Sequence, residues 1–317
     1  VCMTVAATRE TPPHAPEAGW ARRLLGPFYV TGVFWFRFHC WGVRILPNWA
    51  LGPMIVLFAT FFSIVLRNIR AAVASNLEAV LGPCGWWERQ ARIYRTIRTF
   101  SWCLSERYER LATDHQFVMG AEGLENWREL QATGQGYIFI TAHIGNWEMG
   151  SMFPSCQEDK PVHVVREAEM DPRAQSFIAG LISNCAGELY KTHFAEDPQL
   201  GMQLLDALRQ GEIVALQGDR PRSGGRTVEA TLFGRPFPLP VGPAALARAA
   251  GVPILPVFVF REGRLRYRCS IRPAFHVAST ADRQGDTEEA MRRFAAELET
   301  AIRHRPHQWF CFRKIWG

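Results

Sequence analysis

His143 and Glu148 stand five positions apart in TAHIGNWE (141–148), with Gly145 and Asn146 between them. An imidazole next to a carboxylate is a candidate general base. The carboxylate fixes the tautomer by hydrogen-bonding one ring nitrogen and raises the basicity of the other. No nucleophilic serine or cysteine is then required. The competing reading is structural: acidic residues favour the first turn of a helix, and a histidine near a turn is often only a polar surface group. One His–Glu pair does not decide between the two.

Three further groups have types suited to chemistry. Asp219, in LQGDRP (216–221), ends an apolar run. Such a carboxylate can position His143 or an acceptor, or simply pair with Arg220. Arg220, Arg222, Arg226 and Arg235 bracket a glycine-containing loop. Guanidinium groups there suit a phosphate, although a solvated basic loop is the competing reading. Three of the 36 basic residues are lysine (Lys160, Lys191 and Lys314) and the rest are arginine, so arginine at any one place is weak evidence. Gly242 and Pro243 open a predicted helix whose N–H groups suit an anion equally well as a plain helix entry.

Some chemistries are disfavoured. G-x-S-x-G is absent, which argues against a serine hydrolase of that type. No second histidine lies at ligand spacing from His143, which argues against a metallohydrolase. The eight cysteines are scattered without C-x-x-C and suit a reducing compartment. His163, His193, His276, His304 and His307 carry no functional assignment.

These residues need elements to hold them. YIFITA (137–142), VHVV (162–165), EIVALQ (212–217), PILPVFVF (253–260) and RLRYRCSI (264–271) read as strands. Helical patterns fall around 171–186, 198–210, 243–250 and 287–305, and residues 67–115 read as helical and basic on one face. Strands alternating with helices predict an α/β fold, a mostly parallel sheet flanked by helices. His143 then lies just past the carboxyl end of a strand, where open α/β sheets bind ligands. Gly145 permits a tight turn and Asn146 is a good N-cap for a helix opened by Trp147 and Glu148. Residues 218–242 read as a Gly/Arg/Pro loop.

The amino-terminal third differs. Residues 1–19 read as a loose Pro- and Ala-rich tail. No charge occurs between Arg44 and Arg67, a length that can span a bilayer. Pro47, Gly52 and Pro53 are expected to break its first part, leaving a stretch short for a span. The segment upstream mixes aromatics with arginines, as interfacial helices do. A membrane-embedded hairpin or monotopic anchor, a true span and a buried core helix all remain open. The division expected is a tail (1–19), an anchoring segment (20–66) and a catalytic α/β domain (67–317). The net charge of +6 favours an anionic partner, and nothing resembles a nucleic-acid-binding signature.

The H-x-x-x-x-E pattern in TAHIGNWE resembles that of the bacterial lipid A biosynthesis acyltransferase family, which includes the phosphatidylinositol mannoside acyltransferases and is lysophospholipid-acyltransferase-like. RNIRAAVASNL (67–77), VVRE (164–167), LQGDRP, FGRPFPLPVGPAALARAAGVPILPVF (233–258) and HQWFCFRKIWG (307–317) resemble further family segments, so the likeness runs from about residue 20 to the end. It implies a membrane-associated O-acyltransferase at the cytoplasmic face of a bacterial inner membrane. The acyl thioester, on acyl carrier protein or coenzyme A, is a co-substrate, and no other cofactor or metal is implied. The acceptor implied is a glycolipid or lysolipid hydroxyl. An amine or specialised lipid acceptor, and a non-catalytic lipid- or carrier-binding protein, remain alternatives. His143 and Glu148 are then the catalytic pair. Asn146, Arg166, Asp219, Arg220, Arg222 and Arg226 are the candidate substrate-binding residues. The terminal aromatics are expected to be mostly buried.

Overall fold

The computed structural model describes residues 33–152, 160–169, 171–221 and 224–316. The tail at 1–19, the start of the anchoring segment and Arg222 lie outside them. The described chain opens with four helices: α1 (Val33–Ile45), α2 (Asn48–Val65), α3 (Arg67–Leu81) and α4 (Trp86–Ala112). The break expected at Pro53 does not occur. Pro47 sits at the N-cap position and Pro53 lies inside a continuous helix. Pro53 is the sixth residue of α2, so it forgoes the bond an N–H there would make to Trp49 O, and the helix continues through it. The result is one 18-residue apolar helix, long enough to cross a membrane and only 17% buried, which sets it apart from a core helix.

The α/β part follows as β1 (Val118–Glu122), α5 (Leu124–Ala132), β2 (Tyr137–Thr141), α6 (Trp147–Gly150), β3 (Val162–Arg166), α7 (Pro172–Ala186), β4 (Tyr190–Phe194), α8 (Leu200–Arg209), β5 (Ile213–Gln217), β6 (Thr227–Leu232), β7 (Arg235–Pro240), α9 (Gly242–Ala250), β8 (Ile254–Gly263), β9 (Arg266–Ile271) and α10 (Arg283–His304). Seven strands form one sheet in the order β1-β9-β8-β2-β5-β3-β4. Neighbours run parallel except β8 and β9, which are antiparallel. The sheet is therefore mixed, mostly parallel.

Both faces of the sheet are covered, which explains why β2 and the middle of β8 read as unbroken apolar runs. On one face Ile138, Ile140 and Val214 pack with Leu208 of α8, Ala244 of α9 and Phe294 of α10. On the other, Phe139, Ala215 and Val257 pack with Trp127 of α5 and Cys103 of α4. The loop expected at 218–242 instead contains a hairpin, β6 with β7. Burial alternates along β6. Phe233 and Gly234 turn the chain with positive φ, 52° and 70°, the backbone that two-residue hairpin turns require. Three prolines in β7 concealed it, because Pro is tolerated in strands only at edges.

Candidate active site

β2 and β5 are parallel neighbours, and their register ends with Thr141 opposite Gln217. Gly218 N–H continues the ladder to Thr141 O at 2.8 Å. Two residues past each strand end, His143 and Asp219 therefore meet at the carboxyl edge of the sheet. His143 Nδ1 lies 2.7 Å from Asp219 Oδ1. A side chain at 218 would have to displace buried neighbours, since its Cβ would fall 2.6 Å from Ile140 Cδ1 and 2.7 Å from Phe294 Cε1. Glycine lets the turn pack closely against α10 and β2.

Asp219 is fully buried, while His143 keeps 21% of its side-chain surface. Burial by itself pushes the Asp219 pKa up. The His143 charge and hydrogen bond, Arg220 and the Trp309 N–H outweigh that and hold the carboxyl below the usual range. An ionised Asp219 is acceptor-only, so Nδ1 of a neutral His143 carries the proton and Nε2 is left as the base. Nε2 makes no hydrogen bond among the described residues. The Trp147 ring packs 4.8 Å from the imidazole, centroid to centroid.

The hydrogen bond expected from Glu148 to His143 is replaced by this contact. Gly145 reverses the chain at φ +54°, where an added Cβ would sit 1.9 Å from Val259 O. The reversal sends Glu148 towards Arg107 of α4, at 2.5 Å, and Arg166 at the end of β3, at 3.6 Å. Two guanidinium groups thus claim the carboxylate. Arg107, Glu148 and Arg166 share the lining of a small enclosed space of about 20 Å³ with Tyr190 and Gln217. That is room for about one water.

Asn146 holds the N-cap position of α6, but its side chain makes no cap hydrogen bond. It is 4% exposed and donates to Cys103 O at 3.1 Å and to the Tyr267 hydroxyl at 3.2 Å. Its local bonding therefore fits the scaffold behind the turn, in place of the expected cap. Tyr267 in turn hydrogen-bonds Glu106, and Glu106 binds the Arg261 guanidinium through both oxygens at 3.0 and 2.8 Å. Arg261 N–H donates to Gln308 Oε1 at 2.7 Å. Gln308 O accepts from Gly145 N–H at 3.0 Å, so that amide is already occupied.

The carboxyl-terminal segment closes the site. Phe310 N–H donates to His143 O at 2.8 Å, and Trp309 Nε1 to Asp219 Oδ2 at 3.2 Å. Arg220 hydrogen-bonds Phe310 O and its Nε lies 3.9 Å from Asp219. Trp309, Phe310 and Trp316 are buried. Arg226 is exposed just before β6. Sequence reasoning did not assign Arg107, Gln308 or Trp309 to the site. Among the described residues no three His, Cys, Asp or Glu side chains are grouped to hold a metal ion.

The chain is similar to known proteins in sequence and, remotely, in structure. Residues 19–317 match the family model described as bacterial lipid A biosynthesis acyltransferase. The phosphatidylinositol mannoside acyltransferases of two Mycobacterium tuberculosis strains, CDC 1551 / Oshkosh and ATCC 25618 / H37Rv, are each 26% identical over 297 residues. These matches cover 90% of this chain and 89% of theirs. The crystal structure of the 1-acyl-sn-glycerophosphate (LPA) acyltransferase PlsC from Thermotoga maritima aligns over 78% of this chain and 97% of its own. Its identity is 14% and its TM-score 0.35, too remote to bear on the reading.

Proposed function

From the premise that the chain belongs to the bacterial lipid A biosynthesis acyltransferase family, and so is an acyltransferase acting on a lipid acceptor, we propose that it moves a fatty acyl chain from a thioester to a hydroxyl. The thioester is borne by acyl carrier protein or coenzyme A, and the acceptor is a glycolipid or lysolipid. The mannolipid acceptor named for the mycobacterial relatives supports a sugar hydroxyl. One observation carries the catalytic reading: the 2.7 Å contact between His143 Nδ1 and Asp219, which turns Nε2 into an accessible base.

In the proposed reaction, Nε2 takes the proton of the acceptor O–H as its oxygen attacks the thioester carbonyl carbon. The tetrahedral intermediate collapses with cleavage of the C–S bond. The proton on Nε2 passes to the departing thiolate, giving ester, thiol and neutral His143. The donor is already activated, so positioning and a base suffice. Asp219 orients the imidazole and stabilises its charged form. Glu148 acts one step removed, with Arg107 and Arg166 fixing the start of α6. Arg220, Arg222 and Arg226 are assigned to anionic groups on donor or acceptor, and Asn146 to holding the turn. The apolar helix α2 supports membrane association, proposed at the cytoplasmic face of an inner membrane.

The test is transfer from a radiolabelled acyl thioester to lipid acceptors by the purified full chain. His143→Ala should lose nearly all transfer, with membrane association intact. Undiminished turnover by that variant sinks the assignment.

A further inference from the structure

We propose that Trp86 and Trp87, at the start of α4, form a second bilayer contact that inserts into the headgroup region of an anionic phospholipid membrane while α2 lies along the membrane surface. The inference rests on the membrane-bound reading above and specifies its geometry.

The packing of α2 argues against a crossing. Ala59 shares a cluster with Ile93 and Ile97 of α4, and Trp49 and Gly52 face Trp102 and Glu109 across a groove. Helix α2 therefore runs antiparallel along α4. Helix α4 carries Glu106 and Glu109, ion-paired to Arg261 and Arg264, and its Cys103 packs into the sheet. A transmembrane α2 would drag those charges and the sheet edge into hydrocarbon, where no water would solvate them. Lying along the surface, α2 instead offers lipid the stripe of Leu57, Phe61 and Ile64, which are 68%, 54% and 63% exposed and spaced i, i+4, i+7.

The antiparallel packing puts the start of α4 towards the carboxyl end of α2. There Trp86 and Trp87 are 61% and 80% exposed and stack edge-on at 4.4 Å. Two adjacent solvent-exposed indoles extend the apolar face of α2, and indoles favour the headgroup level of a bilayer. The charge fits the same occupant. Residues 67–98 hold six arginines against two glutamates, with Arg67, Arg89, Arg95 and Arg98 exposed. Glu88 is already paired with Arg92 at 3.1 Å. A basic collar around an aromatic pair suits anionic headgroups.

The experiment uses the full chain and vesicles of phosphatidylcholine with an equal part of phosphatidylglycerol, compared with phosphatidylcholine alone. Trp86→Ala with Trp87→Ala should lower partitioning onto the mixed vesicles by about tenfold or more, given the apolar area lost. Environment-sensitive labels at positions 57 and 87, placed one at a time, should report similar shallow depths, a readout that holds even if the double variant folds poorly. Wild-type partitioning by the tryptophan variant overturns the inference. The membrane-bound reading then survives if Leu57→Ser, Phe61→Ser and Ile64→Ser together abolish binding, and falls if they do not. Labels at deep or opposed levels overturn the in-plane placement. A double variant that turns a dimer into a monomer without changing partitioning assigns the indoles to a second copy and also overturns the inference.

Discussion

Trp309 Nε1 donates to Asp219 Oδ2 at 3.2 Å, on the carboxylate oxygen that His143 does not use. The same segment accepts from Gly145 through Gln308 O at 3.0 Å and donates to His143 O through Phe310 N–H at 2.8 Å. A segment from the end of the chain thus grips both residues of the dyad and the turn after His143, across separations of 90 residues or more. With its second oxygen fixed, the fully buried Asp219 is held to one orientation towards the imidazole.

Trp309→Phe keeps an aromatic ring, smaller than the indole, and removes the donor. A hydrogen bond to a charged acceptor contributes roughly 1.5 kcal/mol or more, so kcat is expected to fall about tenfold with KM for the thioester little changed. A carboxylate with one donor fewer holds a proton on the imidazole more tightly. The acid limb of the rate profile should therefore move to higher pH. An unshifted limb with lowered kcat reduces Trp309 to packing.

Asp219 and Glu148 are predicted to fail differently. Asp219→Asn removes the charge that orients and stabilises the imidazole, and should cost about 10² to 10⁴ in kcat/KM. Glu148→Gln leaves that contact intact and strands Arg107 and Arg166, whose side chains are 13% and 17% exposed. Partial exposure of Glu148 limits the stability loss to about 1–2 kcal/mol. Activity should fall through a loosened α6, with the pH profile unmoved. Equal effects of both variants on the profile would restore Glu148 as the group bracing His143.

How much of this was legible follows from what sequence carries. The strand ending at Thr141, the turn at Gly145 and the place of His143 just past the strand end are local and were readable. Asp219 was recognisable as a strand-end acid, but its pairing is a matter of register. Only adjacency of β2 and β5 brings two residues 76 positions apart within 2.7 Å. Glu148 was expected beside the imidazole at the mouth of the helix opened by Trp147, but past Gly145 at φ +54° its carboxylate meets Arg107 and Arg166 instead. Arg107 and Trp309 were invisible as site residues, since one is an arginine among many and the other an aromatic in a run that reads as core. The polar edge strand β4 and the proline-bearing β7 gave no usable periodicity.

Gly145→Ala tests the turn itself. A side chain there must accept a left-handed backbone and displace Val259 O, 1.9 Å from the added Cβ. The expected cost is about 1–3 kcal/mol of stability. Because the strain falls between His143 and α6, activity should drop further than the shift in thermal unfolding explains. A variant with wild-type stability and turnover would mean that the turn can reshape without disturbing the dyad.

The depressed pKa of Asp219 has a pH signature. A carboxyl whose folded pKa lies below its unfolded value, about 4 for aspartate, stabilises the fold at every pH above that unfolded value. The contribution fades as pH falls from there towards the folded pKa, because protonation then becomes easier in the unfolded chain. Asparagine cannot titrate, so its effect on stability is flat with respect to this group. Wild type should therefore exceed Asp219→Asn in denaturant unfolding at about pH 5, where the carboxyl is ionised in both the folded and the unfolded chain. The margin should narrow progressively below about pH 4, because the unfolded aspartate then takes up a proton while the folded carboxylate, held by His143, Arg220 and Trp309, still resists one. A margin that widens below about pH 4 would mean that Asp219 is protonated in the folded protein, and Nδ1 of His143 would then need another acceptor.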